Sequence, residues 1–263
     1  SYGATVHALP VSMAPDRPLL TAQVTYQGTL DFQASGDTEK TVTIDTKDRR
    51  WWWGWLDVTD AKPWDIGLDS SVPFDLKVRS ASGSSELDLS GVRLARLELD
   101  VSSGDTRVTL PAIAGQRYPV DLQLSSGDLQ VQVAAGAQVD MSVDMSSGDS
   151  QITMGADSDA TVTFNGSSGE FALDLAAGQA VRVEVRSISS GDVDLPSGLV
   201  RVAGGEGCTG NLHSPPEGPL GLLVTAGHEA GLPHAQKGPW ILGMPPRGGA
   251  VAFQRAVVAF LVE

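Results

Sequence analysis

The chain has 263 residues, 41% of them hydrophobic, with 18 basic against 32 acidic side chains and a formal net charge of −14. It is long enough for one large all-β domain or two small ones and too apolar for wholesale disorder. The acidic balance excludes nucleic-acid binding and disfavours an anionic lipid surface, because the densest basic cluster, Lys47, Arg49 and Arg50, is broken by Asp48.

Residues 1–69 open with two strand-like stretches, Thr21 to Phe32 and Thr41 to Thr46, joined by a turn at Ser35-Gly36-Asp37. A tryptophan-rich segment follows, with Trp51, Trp52, Trp53, Trp55 and Trp64 all lying between positions 51 and 64. Bulky aromatics suit a cap over the open end of a β stack. The alternative, second to the cap, is contact with a partner, a glycan or a membrane interface.

From residue 70 to 198 a repeat governs the chain. Gly83, Gly104, Gly127, Gly148, Gly169 and Gly191 follow one another at 21, 23, 21, 21 and 22 residues. Five of them sit in a Ser-Ser-Gly-Asp/Glu tetrad, ending in Asp105, Asp128, Asp149, Glu170 and Asp192. A short fixed period means one supersecondary unit stacked several times.

Each unit reads as strand, turn, strand, turn. After the glycine come alternating pairs such as Leu87 and Leu89, Val108 and Leu110, Val131 and Val133, Ile152 and Met154, then Leu173 and Leu175. Before the next tetrad come Leu97, Leu99 and Val101, then Val120, Leu122 and Leu124, then Val139, Met141, Val143 and Met145. Apolar residues at period two predict half-buried strands. In the last unit Val181, Val183 and Val185 are out of phase with Ile188, which predicts a β-bulge near Arg186 to Ser187. The 23-residue interval predicts a longer turn around Ile113 to Pro119. The fold class is therefore all-β, a β-solenoid-like stack of about six repeats with non-repeat β segments at both ends. An antiparallel sandwich or meander satisfies the same periodicity.

Residues 199–263 are rich in Gly and Pro, including Pro215-Pro216 and Pro245-Pro246, and predict loops and extended chain. The last stretch, Ala250 to Val262, alternates partly and predicts a closing strand packed on the same domain.

The stretch VPFDLKVRSASGSSELDLSGVRLARLELDVSSGDTRVTL, Val72 to Leu110, resembles the start of a toastrack domain, a bacterial family that includes LiaF-like, cell-wall-active antibiotic response proteins. The resemblance rests on Val72-Pro73, Gly83, Leu87 to Ser90, Leu97 to Leu99 and Gly104-Asp105. The later SSGD units resemble putative-adhesin β-strand repeats of the same group. The resemblance implies a β-solenoid-like domain of the cell envelope, tied to stress signalling, and supplies no catalytic residues.

Several constellations could carry chemistry. In a parallel stack Asp105, Asp128, Asp149, Glu170 and Asp192 form a ladder at about 4.8 Å spacing, where a hard cation such as Ca²⁺ would relieve repulsion. The competing reading is that each acid and its serines bond local turn amides. Calcium solenoids use denser glycine and acid spacing, so no resident cofactor is expected. Gly205, Gly207 and Gly210 spell G-x-G-x-x-G, but Asn211 to Pro216 cannot supply the helix that a dinucleotide site needs. Cys208, the single cysteine, and His213, His228 and His234 have no recognised zinc spacing. No G-x-S-x-G occurs.

The expectation is a non-enzymatic interaction domain of an envelope protein. Its partner would be another envelope or signalling protein; the alternatives are an adhesin or glycan-binding β-solenoid and, after it, a polysaccharide-active enzyme. The tryptophans are the candidate contact residues. No run of about 18 apolar residues spans a bilayer as a helix, and the first residues lack a signal-peptide pattern. Tethering or export would therefore use a segment outside these residues.

Overall fold

The computed structural model describes residues 4–10, 18–25, 29–37, 39–47, 64–176, 180–196 and 255–262. Five strands precede the repeats: β1 (Ala4–Ala8), β2 (Leu20–Gln23), β3 (Thr29–Ser35), β4 (Glu39–Lys47) and β5 (Trp64–Leu68). The repeat region supplies twelve: β6 (Pro73–Ser80), β7 (Ser85–Asp88), β8 (Arg93–Val101), β9 (Thr106–Leu110), β10 (Arg117–Leu124), β11 (Leu129–Val133), β12 (Gln138–Met145), β13 (Ser150–Met154), β14 (Asp159–Gly166), β15 (Ser168–Leu175), β16 (Ala180–Ser187) and β17 (Ser190–Asp194). A last strand, β18 (Arg255–Val262), comes from the far end of the chain. No helix occurs among the described residues, so none there is long and apolar enough to cross a membrane.

Odd and even strands of the repeat region separate into two nine-stranded sheets. One runs β17-β15-β13-β11-β9-β7-β1-β5-β2 and the other β16-β14-β12-β10-β8-β6-β18-β4-β3. We call them the short-strand and long-strand sheets. Every pairing between repeats is parallel and joins like residue to like residue. This is a flattened coil of six turns, β6–β7 through β16–β17, and the antiparallel alternative is excluded. Among the described residues antiparallel pairs occur only at the outer end, β2 with β5 and β3 with β4.

The core follows from the alternation. In the long-strand sheet Leu76, Leu97, Val120, Met141, Val162 and Val183 stack in register, and all six are buried. Facing them, Val6, Leu87, Val108, Val131, Ile152 and Leu173 form the matching column. Each such side chain contributes roughly 1.5–3 kcal/mol relative to exposure. The stack is what makes each unit stable, since one unit alone has no partner for its apolar face.

Two departures from strict period were expected and are found. In β16, Val185 pairs with Phe164 and Ser187 with Asn165, so Arg186 is the extra residue of a bulge. That one-residue insertion returns Ile188 to the core, where it is buried. The longer turn lies at residues 111–116, two residues more than the equivalent turn 134–137, and Arg117 to Pro119 already belong to β10. Tyr118 fills the volume beneath it, fully buried, and its Oη donates to the Pro111 carbonyl at 2.6 Å. A further bulge had no counterpart in the sequence reading: Phe74 pairs with Leu94 and Asp75 with Arg96, leaving Ala95 as the extra residue of β8.

The non-repeat strands join both sheets. β1 lies between β7 and β5, and β18 lies between β6 and β4, all parallel. Val262 pairs with Ser80 and Ala4 with Ser85. β18 and β1 therefore take the place of one coil, built from opposite ends of the sequence. The strand expected within Ala250 to Val262 is found over Arg255–Val262, and it lies inside the long-strand sheet beside the first coil. Through β1, residues 4–8 and 64–68 are continuous in hydrogen bonding with the repeats.

Candidate functional site

The tetrads form a ridge along one edge of the stack, where each long-sheet strand turns into a short-sheet strand. The ridge is built on glycine. Gly148 has φ +106°, and a Cβ placed on it would lie 2.1 Å from the Gly127 carbonyl oxygen. The same contact recurs from Gly104 over Gly83 to Gly191 over Gly169, at 1.9–2.4 Å. Glycine is needed twice over: for the backbone conformation and for the close approach of successive coils.

The serines stitch these turns together. Oγ of the second serine of each tetrad donates to the backbone carbonyl one coil back: Ser103 to Ala81 at 3.1 Å, Ser126 to Ser102 at 3.2 Å, Ser147 to Ser125 at 3.2 Å, Ser168 to Ser146 at 3.1 Å and Ser190 to Ser167 at 3.4 Å. Acids do the complementary work. Asp128 Oδ1 accepts the Asp149 N–H at 3.2 Å, and Asp149 Oδ1 accepts the Glu170 N–H at 3.0 Å. The tetrad is thus a turn motif whose side chains cap backbone groups of the neighbouring coil.

Asp105, Asp128, Asp149, Glu170 and Asp192 do fall one coil apart, with Glu170 directly paired to Asp192. Among the described residues no three acidic, histidine or cysteine side chains converge as a metal cage. One oxygen each of Asp128 and Asp149 is already taken by a backbone amide. Grooves flank the ridge. One of about 520 Å³ lies on the long-sheet side, bordered by Asp100, Asp144 and Asn165. Two of about 360 and 280 Å³ lie on the short-sheet side, bordered by Asp105, Asp128 and Asp149.

The outer face of the long-strand sheet has different electrostatics. Its cations pair with acids on neighbouring coils: Lys77 with Glu98, Arg79 with Asp100 at 3.8 Å, and Arg96 with Asp121 at 2.9 Å. Arg117 spans two coils, bonding Asp140 at 2.8 Å and also Asp159. The Asp159 hydrogen bond is the chief cause that holds the Arg117 guanidinium above its ordinary pKa. Lys77 is 3% exposed, and burial pulls its ammonium below the usual lysine value, opposed by Glu98. These pairs show in the sequence as opposite charges one repeat period apart, or two for Arg117 and Asp159.

Of the tryptophan candidates, Trp51, Trp52, Trp53 and Trp55 lie outside the described residues. Trp64 opens β5 and is 1% exposed, with Nε1 donating to the Thr25 carbonyl at 3.0 Å. Its ring belongs to the core, so it offers no contact surface, and the cap reading describes it better than the partner reading. Cys208, His213, His228, His234 and the Gly205–Gly210 motif also lie outside the described residues.

Two family models match the chain. The N-terminal domain of toast_rack, DUF2154, matches residues 11–132, and the Toastrack domain DUF4097 matches residues 74–203. The first match begins well before residue 70, as the hydrogen bonding of β1, β4 and β5 into the repeat sheets also does. Among curated proteins and solved structures, nothing matches.

Proposed function

The chain belongs to the toastrack family, and from that premise we propose that it is a non-enzymatic interaction domain of a bacterial cell-envelope protein. It would act in envelope-stress sensing or regulation by protein–protein contact. The observation that carries this reading is the stitching of each coil to the next. Glycine backbones in contact, serine hydroxyls on carbonyls and inter-coil ion pairs make a long surface that needs no ordering before a partner docks. Pre-ordered surfaces of this kind favour association, because little side-chain entropy is lost on binding. Family membership supports the coarse assignment to a β-solenoid domain, and the envelope role is the further step.

Site-specific photocrosslinking in the native bacterium tests it. The crosslinker would be placed at Gln132 on the short-strand face, at Ser142 on the long-strand face and at Ser126 on the ridge. A discrete protein adduct from one face, changing in yield under a cell-wall antibiotic, is the expected result. Adducts from no position, or a glycan adduct in place of a protein, would overturn the reading.

A further inference from the structure

Two sheets have four edges, and those edges are not protected alike. Unpaired N–H and C=O rows invite another strand, and proteins blunt them with short strands, charges, proline or bulges. β2 spans only Leu20–Gln23. β16 carries Arg182, Glu184 and the Arg186 bulge, and β17 carries Asp192 and Asp194. Among the described residues β3 has none of these devices. It runs seven residues, TLDFQAS, in unbroken register against β4, without lysine, arginine or proline and with Asp31 as its one charge. Thr29, Phe32, Gln33, Ala34 and Ser35 are all exposed, and Phe32, at 45%, is the exposed large hydrophobic residue among those described.

We propose that β3 is an interface at which two copies of this chain pair edge to edge, antiparallel, about a two-fold axis at Phe32. The strand is self-complementary. Phe32 is the central residue of the strand, so inversion about it sets Phe32 against its own copy. Leu30 then meets the second copy's Ala34, Asp31 its Gln33, and Thr29 its Ser35. Leu30, Phe32 and Ala34 share the face of β4 that carries buried Val42 and Ile44. Pairing therefore continues one apolar face across both molecules. On the other face the single acid meets an amide. Within β3 the Gln33 amide already donates to the Asp31 carboxylate at 3.2 and 3.3 Å, so the two groups are chemically matched. No like charges stand opposite each other, and an isologous contact of this type closes at two subunits. One strand pair buries less than a standard interface, so the dimer is weak, with a Kd on the order of 10 µM to 1 mM. The proposal is independent of which face docks an envelope partner.

Sedimentation of the full chain from about 1 µM to 1 mM reads the equilibrium directly, a span set by the weakness of small interfaces. Two exposed-site variants read the register. Gln33→Lys faces the second copy's Asp31 and tightens the dimer, whereas Gln33→Asp sets two carboxylates opposite and loosens it. Each shift should be roughly three- to tenfold, summed over two symmetric cross-strand pairs. Circular dichroism confirms that both variants keep the fold. A chain that stays monomeric across the range would overturn the proposal. So would equal dimer constants for the two variants, which would place any dimer contact elsewhere. Strand pairing with a foreign protein by a chain that stays monomeric alone would overturn the second copy as occupant.

Discussion

A Cβ on Gly148 would stand 2.1 Å from the carbonyl oxygen of Gly127, one coil below. Gly136, at the opposite edge of the stack, has φ +73° but meets nothing within 4 Å. Alanine at each separates backbone conformation from contact between coils. Gly136→Ala should cost about 1 kcal/mol, the penalty of a left-handed residue. Gly148→Ala adds a clash with backbone that cannot yield, and should cost at least about 3 kcal/mol. Urea denaturation of both variants checks the difference; equal costs would mean that the coils are not in backbone contact.

Thr106 Oγ1, Ser85 Oγ and Ser150 Oγ are buried without a hydrogen-bond partner, stacked at equivalent positions of the short-strand sheet. Thr106→Val keeps the shape and removes the hydroxyl. It should raise stability by about 1 kcal/mol, since a buried unpaired hydroxyl costs that much or more. A lower midpoint of unfolding would show that the hydroxyl has a partner after all.

Burial raises the Tyr118 phenol well above its ordinary pKa of about 10. Above that pH the unfolded chain loses the proton while the folded chain keeps it, so the folded state binds more protons and stability falls as pH rises. The contribution is fully present below about pH 10. Tyr118→Phe should lose about 1 kcal/mol at neutral pH through the bond to the Pro111 carbonyl. It should also show a shallower decline above pH 10 than the parent. Melting curves between pH 7 and 11 measure both effects; parallel pH profiles would mean that another group controls the alkaline limb. Lys77 acts with the opposite sign, because burial lowers its pKa, and its presence in both proteins cancels in the comparison.

Deletion of Arg186 should be tolerated within about 1 kcal/mol, because only the bulge residue and an exposed pair to Glu184 at 3.3 Å are lost. Deletion of Asn165 from β14, which has no spare residue, forces the register to slip and should unfold the neighbouring coils. Calorimetry on the two deletions decides it. Comparable damage from both would remove the bulge assignment.

The repeat strands were legible because each contributes one buried face, so period two in the residues is period two in space. The bulge at Arg186 was legible for the same reason, since Ile188 stands out of phase with Val185. The second bulge, at Ala95, leaves the same trace, Val92 and Leu94 out of phase with Leu97, but only those two residues precede it, too few to set a phase. The position of β18 could not be read at all. Parallel pairing is set by tertiary contact, and Arg255 to Val262 alternates no differently whether it extends the last coil or inserts beside the first. The ridge was read correctly as turns, but the roles of its serines and acids needed the stack, because their partners lie 21 to 24 residues away.

The coil shared by β18 and β1 has a consequence during synthesis. A ribosome delivers β4, then β6 and the rest of the repeats, and only after residue 262 emerges is there a strand to fill the gap between β4 and β6. The six coils can stack in order as each is translated, but the long-strand sheet stays interrupted near its outer end until that late strand arrives. A stalled or prematurely terminated chain would therefore present two facing, unpaired parallel edges to whatever holds nascent chains, and the complete chain would not.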